Sequence, residues 1–186
     1  SKVIHNPALA SVEETSASSA SFVIEPLQAG YGNTLGNSLR RVLLSSVKGA
    51  AIVAFRIEGA SHEFTTVPGI KEDVVDIMLN LKNVRVKSAS DEPVELRIEK
   101  KGAGTITAAD IKTTADVEVI NPEQVIATID DPKKAVIIDL VIETGRGYQT
   151  IEESSVKRLH SDMIALDAMF SPVLRVRYKV DSTRVG

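Results

Sequence analysis

The N-terminal quarter of the chain is predicted to pass from an irregular arm to a strand and then to a helix. Residues 1–21 are rich in Ser and Ala and show no sustained periodicity, which is typical of a surface arm. The apolar residues 22–24 predict a strand. A helix that runs to about Val47 is predicted next, with Asn33 or Thr34 as its N-cap. This helix has the most informative pattern in the chain.

The middle of the chain combines one further helix with many short strands. Residues 52–58 predict a strand, and residues 68–81 predict a second helix. The apolar positions of this helix recur at helical spacing and are expected to pack in a core: Ile70, Val74, Ile77, Met78 and Leu81. Further short strands are predicted over 84–87, 94–99, 117–120, 125–129 and 135–142. Because the connections are too short for repeated helical crossovers, we predict an α+β fold with a largely antiparallel sheet.

The C-terminal segment shows the clearest alternation of apolar and polar residues. Residues 149–162 are polar and predicted to form a loop, and residues 163–170 are ambiguous between helix and strand. Residues 174–180 predict a strand whose apolar face is formed by Leu174, Val176, Tyr178 and Val180. The opposite face is basic and consists of Arg175, Arg177 and Lys179.

The first helix has more apolar surface than one underlying sheet can cover. On a helical wheel, a core-facing stripe about 100° wide is formed by Leu35, Leu39, Val42 and Leu43. Leu44 and Val47 extend the apolar surface to about half of the circumference. Burial within a single large core and contact with a second apolar partner both remain open. The small residues Gly36, Asn37 and Ser38 would let another backbone approach closely.

Two arginines are adjacent in the middle of this helix. Arg40 and Arg41 are separated by about 100°, so at least one of them must point away from the apolar stripe. A planar guanidinium with five donors suits a carboxylate or a row of carbonyls on a partner protein. The alternative is an exposed arginine that pairs with a nearby Glu, and the helix by itself favours this alternative.

Composition excludes several classes of function. The 186 residues are 43% hydrophobic, which is enough for a core, and the formal net charge of -3 provides no overall basic field for a polyanion. The absence of cysteine excludes disulfides, thiolate catalysis and cysteine-rich zinc sites. No apolar run approaches the roughly 20 residues of a membrane-spanning helix, and no signal-peptide pattern is present, so a cytoplasmic protein without a membrane partner is expected.

The sequence contains no pattern for catalysis or metal binding. His5, His62 and His160 have no second ligand at metal spacing, and His62-Glu63 lacks the distal histidine of a zinc protease motif. Paired Asp and Glu residues occur without a glycine-rich phosphate loop. We therefore expect no active site and no cofactor in this chain, and an independent hydrolase or transferase is disfavoured.

The first helix and several downstream segments resemble one known family. Residues 32–46, with the sequence GNTLGNSLRRVLLSS, look like the signature helix of bacterial RNA polymerase alpha subunits. Residues 22–27 resemble the strand that precedes it. Further similar segments follow in family order: HEF at 62–64, EDVVDIMLNLK at 72–82, TAADI at 107–111, GRGY at 145–148, FSPV at 170–173 and TRVG at 183–186.

The resemblance implies two domains, one of them discontinuous in sequence. Residues 1–48 and 173–186 would form a dimerization domain, and residues 49–172 an inserted, largely antiparallel α+β domain. In the family, the signature helix packs against its counterpart in a second alpha subunit, and the dimer is the platform for the beta and beta-prime subunits. The chain is therefore expected to be a non-catalytic assembly scaffold, an enzyme only as a subunit of DNA-directed RNA polymerase, which is a nucleotidyltransferase complex.

The resemblance also implies two contact surfaces on the first helix. The contact with the second alpha subunit would use Leu35, Gly36, Leu39, Val42, Leu43 and Ser46. The contact with beta would use Arg40, Arg41 and Leu44. The family continues with further strand, a second dimer helix, a linker and a DNA-binding domain. This chain is thus expected to be a C-terminally truncated N-terminal domain without direct nucleic acid contact.

Two local patterns have alternative interpretations. The basic residues Arg175, Arg177 and Lys179 could contact phosphate, but an exposed strand face that discourages edge pairing is the simpler explanation. The sequence GRGY at 145–148 could belong to an RNA-binding tract, although a single copy between a strand and a polar loop favours a turn.

Overall fold

The computed structural model describes most of the chain and divides it into two compact units. The described residues are 8–16, 19–25, 27–28, 30–152 and 162–182. Unit 1 comprises Ser1–Val42 and Arg175–Gly186, and unit 2 comprises Leu43–Leu174. The predictions for His5, His160 and the motif at 183–186 lie outside the described residues.

Two α-helices and thirteen strands are found among the described residues. The helices are α1 (Tyr31–Ser45) and α2 (Val74–Lys82), and a short 3-10 turn covers Ala108–Asp110. The strands are β1 (Ala8–Ser16), β2 (Ser19–Glu25), β3 (Lys48–Ile57), β4 (Val86–Ser88), β5 (Val94–Lys101), β6 (Gly104–Thr107), β7 (Ile111–Lys112), β8 (Val117–Val119), β9 (Val125–Ile129), β10 (Ala135–Arg146), β11 (Tyr148–Gln149), β12 (Ile164–Ala165) and β13 (Ala168–Met169).

The main sheet of unit 2 confirms the predicted α+β class. Its strand order is β7-β5-β10-β3-β4-β8, with β12 paired to β3, and every pairing in it is antiparallel. The long strand β10 is central and pairs with β3 on one side and β5 on the other. Smaller sheets of unit 2 join β6 to β9 and β11 to β13. The ambiguous segment 163–170 therefore forms two very short strands.

A bulge in β3 lets one strand contribute to two hydrophobic clusters. The β3–β10 register shifts between Val141 and Ile142, opposite Val53 and its neighbours. Side chains of a regular strand alternate between faces, and a bulge places two successive residues on the same face. Accordingly Ile52 and Phe55 belong to the large core, whereas Val53 and Ala54 join a smaller cluster with Met163, Ala168 and Phe170.

Helix α2 is shorter at its N-terminus than predicted. It begins at Val74, and the Asp73 side chain caps it by accepting a hydrogen bond from the backbone N–H of Asp76 at 2.8 Å. Gly69, with φ +87°, belongs to a turn that precedes the helix. The predicted core positions are nevertheless confirmed: Ile70, Val74, Ile77 and Leu81 are buried, and Met78 packs against the core.

Unit 1 differs from the prediction at both of its ends. The predicted irregular arm at 1–21 is wrong from residue 8 onward, because β1 and β2 form an antiparallel hairpin in which Val12 lies opposite Phe22. The predicted strand over 174–180 is also wrong, since residues 173–182 belong to neither a helix nor a strand. An alternation of apolar and polar residues predicts which side chains share a face of a strand. It does not show whether a neighbouring strand is available for the backbone hydrogen bonds that a sheet requires.

Candidate functional site

The apolar surface of α1 is exposed. The helix begins at Tyr31, two residues before the predicted N-cap, where the N–H of Tyr31 donates to the carbonyl of Gln28 at 3.1 Å. Leu39, Val42 and Leu43 remain 38%, 52% and 37% exposed. Leu35 is half-buried. The predicted core-facing stripe is therefore wrong for three of its four members, and burial of α1 in a single large core is ruled out for these three.

The N-terminal half of the same side of α1 packs within unit 1, since Gly36 precedes Leu39 by three residues and Leu43 by seven. A Cβ atom added at Gly32 would come within 2.7 Å of Val180, and one added at Gly36 within 2.4 Å of the ring of Tyr178. Because real Cβ atoms do not approach carbon atoms so closely, neither position accepts a larger residue unless the facing side chain shifts. The space beside Gly36, which the resemblance implied for the second subunit, is thus filled by Tyr178 of the same chain.

The remaining candidate residues lie along the solvent-facing side and the end of α1. Arg40, Arg41 and Ser46 are exposed, and Leu44 is half-buried. Leu44 follows Arg40 by four residues, so the two lie one turn apart on the same side of the helix. The structure therefore presents exposed arginines beside exposed apolar side chains, which is the composition of a protein contact surface.

The most strongly connected charged cluster lies in unit 2 and is centred on Asp139. This residue lies opposite Arg56 in the β3–β10 register and opposite Arg97 in the β5–β10 register. Its carboxylate accepts hydrogen bonds from Arg56 Nη2 at 2.7 Å and from Arg97 Nε at 2.8 Å. Arg56 also donates to Asp162, and Arg97 pairs with Glu99 at 3.4 Å.

The surroundings of Asp139 keep its carboxyl group ionised. Burial opposes ionisation and would raise the pKa of Asp139, but hydrogen bonds from Arg97 and Arg56 outweigh burial, so the pKa lies below its ordinary value. The side chain of Asp139 is only 8% exposed. A depression of about 470 Å³ lies over this cluster. Since carboxylates already neutralise both guanidinium groups, the cluster braces the sheet and is a poor site for an anionic ligand.

Few groups in the described part of the chain are arranged for catalysis or metal binding. No three His, Asp or Glu side chains there are grouped so that they could hold a metal ion. The Nδ1 atom of His62 accepts a hydrogen bond from the backbone N–H of Phe64 at 3.1 Å, which is a turn contact. At the GRGY sequence, Gly147 with φ +62° joins β10 to β11, so the turn interpretation is confirmed.

The fold and the site together define a class. This is an α+β protein whose candidate site is an apolar and basic contact surface on a helix, rather than a catalytic pocket. The family described as RNA polymerase Rpb3/RpoA insert domain matches residues 53–171.

Full-length relatives extend the match beyond the insert domain. The DNA-directed RNA polymerase subunit alpha of Leifsonia xyli is 52% identical over 165 residues, which are 89% of this chain and 49% of that protein. The subunit of the same name from Desulfitobacterium hafniense is 47% identical over 184 residues, 98% of this chain and 58% of that protein. The chain therefore belongs to the family of bacterial RNA polymerase alpha subunits. It spans about half the length of the curated relatives that it matches.

Sequence reasoning overlooked two features of these surfaces. The packing of Val180 and Tyr178 on the glycine face of α1 had a signal, because Gly32 and Gly36 are four residues apart and leave a groove along one side of a helix. Asp139 also had a signal, since it is the one charged residue within the apolar run 135–142. A carboxylate in a central strand requires a partner, and neighbouring strands supply it.

No described helix is long and apolar enough to cross a membrane.

Proposed function

We propose that this chain is a non-catalytic assembly scaffold of a bacterial RNA polymerase. In this proposal it dimerizes through α1 and the dimer binds the beta and beta-prime subunits, so that the chain serves transcription in the cytoplasm without an active site of its own. Membership of the alpha-subunit family supports the enzyme complex. The exposure of Leu39, Val42 and Leu43 is the observation that carries the scaffold role.

The dimer contact is argued from the energetic cost of leaving α1 uncovered. Three large apolar side chains on one helix form a contiguous patch, and such patches commonly mark protein interaction sites. Since each side chain is still about half-exposed, covering it would stabilise an interface by on the order of 1 kcal/mol per residue. A second copy of α1 offers a self-complementary surface, as a two-fold dimer requires. Leu35 and Ser46 flank this patch in the proposed contact, and Gly36 lies one turn before Leu39 on the same side of the helix, where it seats Tyr178.

The beta contact is assigned to Arg40, Arg41 and Leu44. Arg40 and Arg41 are exposed next to the apolar patch, and arginine combines a donor fork with an apolar stem. Arginines near the centre of an interface often contribute a large part of the binding energy. One helix would thus hold the dimer together and present side chains to beta.

The proposed domain boundaries place the dimer contact and the inserted domain in different parts of the chain. Residues 1–48 with 173–186 are proposed to form the dimerization domain, and residues 49–172 the inserted domain. Support comes from the family match over 53–171 and from the compactness of Leu43–Leu174.

Co-purification with a tagged bacterial beta subunit tests the proposal. The parent chain, Arg41→Ala and the control Lys101→Ala are mixed with beta, and the amount retained is measured. Lys101 is an exposed cation on unit 2 and matches the loss of charge. We expect the parent and Lys101→Ala to be retained and Arg41→Ala to be lost. If the parent is not retained, or if Arg41→Ala is retained as well as the parent, the assignment of Arg41 is wrong.

A further inference from the structure

The two units carry opposite net charges. Unit 1 has seven Lys and Arg residues and four Asp and Glu residues, which gives +3, whereas unit 2 has fifteen and twenty-one, which gives -6. Unit 1 by itself is therefore basic, although the whole chain carries a net negative charge. Four of the seven cations of unit 1 lie in its C-terminal segment, Arg175–Gly186.

The contacts of this segment fix the direction in which its side chains point. Val180 lies against Gly32, and Tyr178 lies against Gly36. Four helical residues advance about 6 Å, and two residues of extended chain advance about 6.6 Å, so the segment runs antiparallel to α1 with alternate side chains facing the helix. Arg175, Arg177 and Lys179 consequently face away from α1.

The two arginines of this face have no ion pair among the described residues. Arg175 and Arg177 are exposed, and neither of them forms a salt bridge within the described part of the chain. Lys179 differs, because it pairs with Asp181 at 3.4 Å. In unit 2, by contrast, Arg56 and Arg97 both bind carboxylates. Arg175 and Arg177 together are called the arginine strip.

We infer that the arginine strip is a docking surface for an acidic segment of a partner protein. The guanidinium fork matches the two oxygens of a carboxylate. Arg175 and Arg177 point the same way about 6.6 Å apart, which is also the spacing of alternate side chains on an extended partner chain. The inference rests on the proposed assembly function and extends it. It identifies the partner surface as acidic, a property for which the apolar patch of α1 does not select.

A nucleic acid is a poorer match for the same surface. Single-stranded nucleic acid is usually held by stacking on aromatic rings as well as by cations. Tyr178, the aromatic residue of the segment, has its ring packed against Gly36. A short acidic protein segment needs no such stacking.

Fluorescence anisotropy with labelled decaglutamate and labelled decathymidylate tests the inference. The whole chain is titrated at about 50 mM salt, where surface charges are weakly screened. The test variant is Arg175→Glu/Arg177→Glu. The control is Lys87→Glu/Lys101→Glu, which makes the same change in net charge at two exposed cations of unit 2. Circular dichroism checks that each variant retains the secondary structure of the parent.

We expect decaglutamate to bind the parent chain, and to bind the test variant with a Kd about tenfold higher, because reversed charges at a contact oppose association. The Kd of the control variant should differ from that of the parent by less than about twofold. Equal loss in both variants, or no binding to the parent, would overturn the inference. Tighter binding of decathymidylate than of decaglutamate at the strip would also overturn it in favour of a nucleic acid surface. Since no polymerase subunit is present, failure here is distinct from failure of beta capture.

Discussion

The two units of this chain bury their apolar residues to very different extents. All the buried hydrophobic residues of the described part lie between Ala51 and Phe170, within unit 2. In unit 1, Gly32 is the buried residue of α1, and Leu9, Val12 and Phe22 of the hairpin are more than half exposed. Unit 2 has the core of an independently stable domain, whereas unit 1 has apolar surface that no described residue covers.

The difference in burial separates a densely packed unit from a unit with uncovered apolar surface. Stability concentrates where burial is dense, and regions with few buried contacts open at low free-energy cost. In the proposed scaffold, the densely packed unit 2 would supply rigidity and partners would cover the apolar surface of unit 1. Substitutions should therefore affect unfolding most strongly in unit 2 and association most strongly in unit 1.

The largest expected effect on folding comes from the centre of unit 2. Leu140 is 0% exposed and lies opposite Phe55 and Leu96 in the neighbouring strands. We expect Leu140→Ala to lower the free energy of unfolding by about 2–5 kcal/mol, since it leaves a cavity in a tightly packed core. Urea denaturation followed by circular dichroism measures this. The control Leu79→Ala removes the same atoms from a side chain 49% exposed, and an equal loss there would contradict the comparison.

A second, smaller effect is expected at Asp139. We expect Asp139→Asn to lower the free energy of unfolding by about 1–3 kcal/mol, because two guanidinium groups lose a buried charged acceptor. The exposure of Arg56 and Arg97, 36% and 50%, lets water offset part of the loss. Asp91→Asn is the control, since the Asp91 pair with Lys48 is solvent-exposed. A loss as large for Asp91→Asn would show that burial does not decide the effect.

The contribution of Asp139 should also depend on pH. Its pKa in the folded chain is lowered below the ordinary value, so its stabilising effect is fully present above the unfolded-state pKa of about 3.9. The effect is lost as the pH falls through the lower folded-state pKa. The difference in unfolding free energy between parent and Asp139→Asn should be constant above about pH 5 and should shrink below about pH 4. A difference that grows on acidification would contradict the direction of the shift.

In unit 1, the expected effect is local rather than global. Gly36→Ala brings a Cβ atom within 2.4 Å of the ring of Tyr178. Overpacking costs about 1–3 kcal/mol, more than the gain of up to about 1 kcal/mol that alanine brings to a helix. We expect shifted NMR resonances of the Tyr178 ring and of residues 175–182, and unchanged hydrogen exchange in β10. The double variant Gly36→Ala/Tyr178→Ala should shift residues 175–182 no further than Tyr178→Ala alone, and Ser38→Ala serves as the exposed control.

The smallest effect on folding is expected on the exposed face of α1. Leu39→Ala/Val42→Ala removes two large side chains that are 38% and 52% exposed. We expect the free energy of unfolding of the dilute chain to change by less than about 0.5 kcal/mol per site, as is usual for surface positions. Urea denaturation at low protein concentration measures this. A loss comparable to that of Leu140→Ala would mean that the face belongs to a core.

Local patterns predicted much of unit 2 and less of unit 1. Residues 125–129 were predicted as a strand with the observed bounds, and the core positions of α2 were identified by their period, although the helix begins at Val74 instead of residue 68. Ile70 is buried outside the helix, so its spacing predicted burial but not conformation. The hairpin partner β1 was missed because Ala, Ser and Glu make up six of its nine residues and pairing with β2 is not visible in local sequence.

The proposed contact residues of α1 were identified from the family resemblance rather than from the hydrophobic pattern of the helix. The helical wheel of residues 35–47 left open whether the apolar stripe is buried in a core or contacts a partner. The exposure of Val42 excludes burial at that position but does not identify a partner. The packing of Tyr178 on Gly36 and the arginine pairs of Asp139 arise between segments far apart in sequence. Such long-range contacts are set by topology, which hydrophobic periodicity does not encode.

Light scattering of the chain over a range of concentrations tests the scaffold proposal most directly. The parent, Val42→Asp and the control Leu79→Asp are compared, since both substitutions place a charge on an exposed apolar side chain of a helix. We expect the parent and Leu79→Asp to approach twice the chain mass of 20.0 kDa as concentration rises, and Val42→Asp to remain at 20.0 kDa. A parent that stays at 20.0 kDa throughout, or a Val42→Asp variant as heavy as the parent, would contradict dimerization through α1.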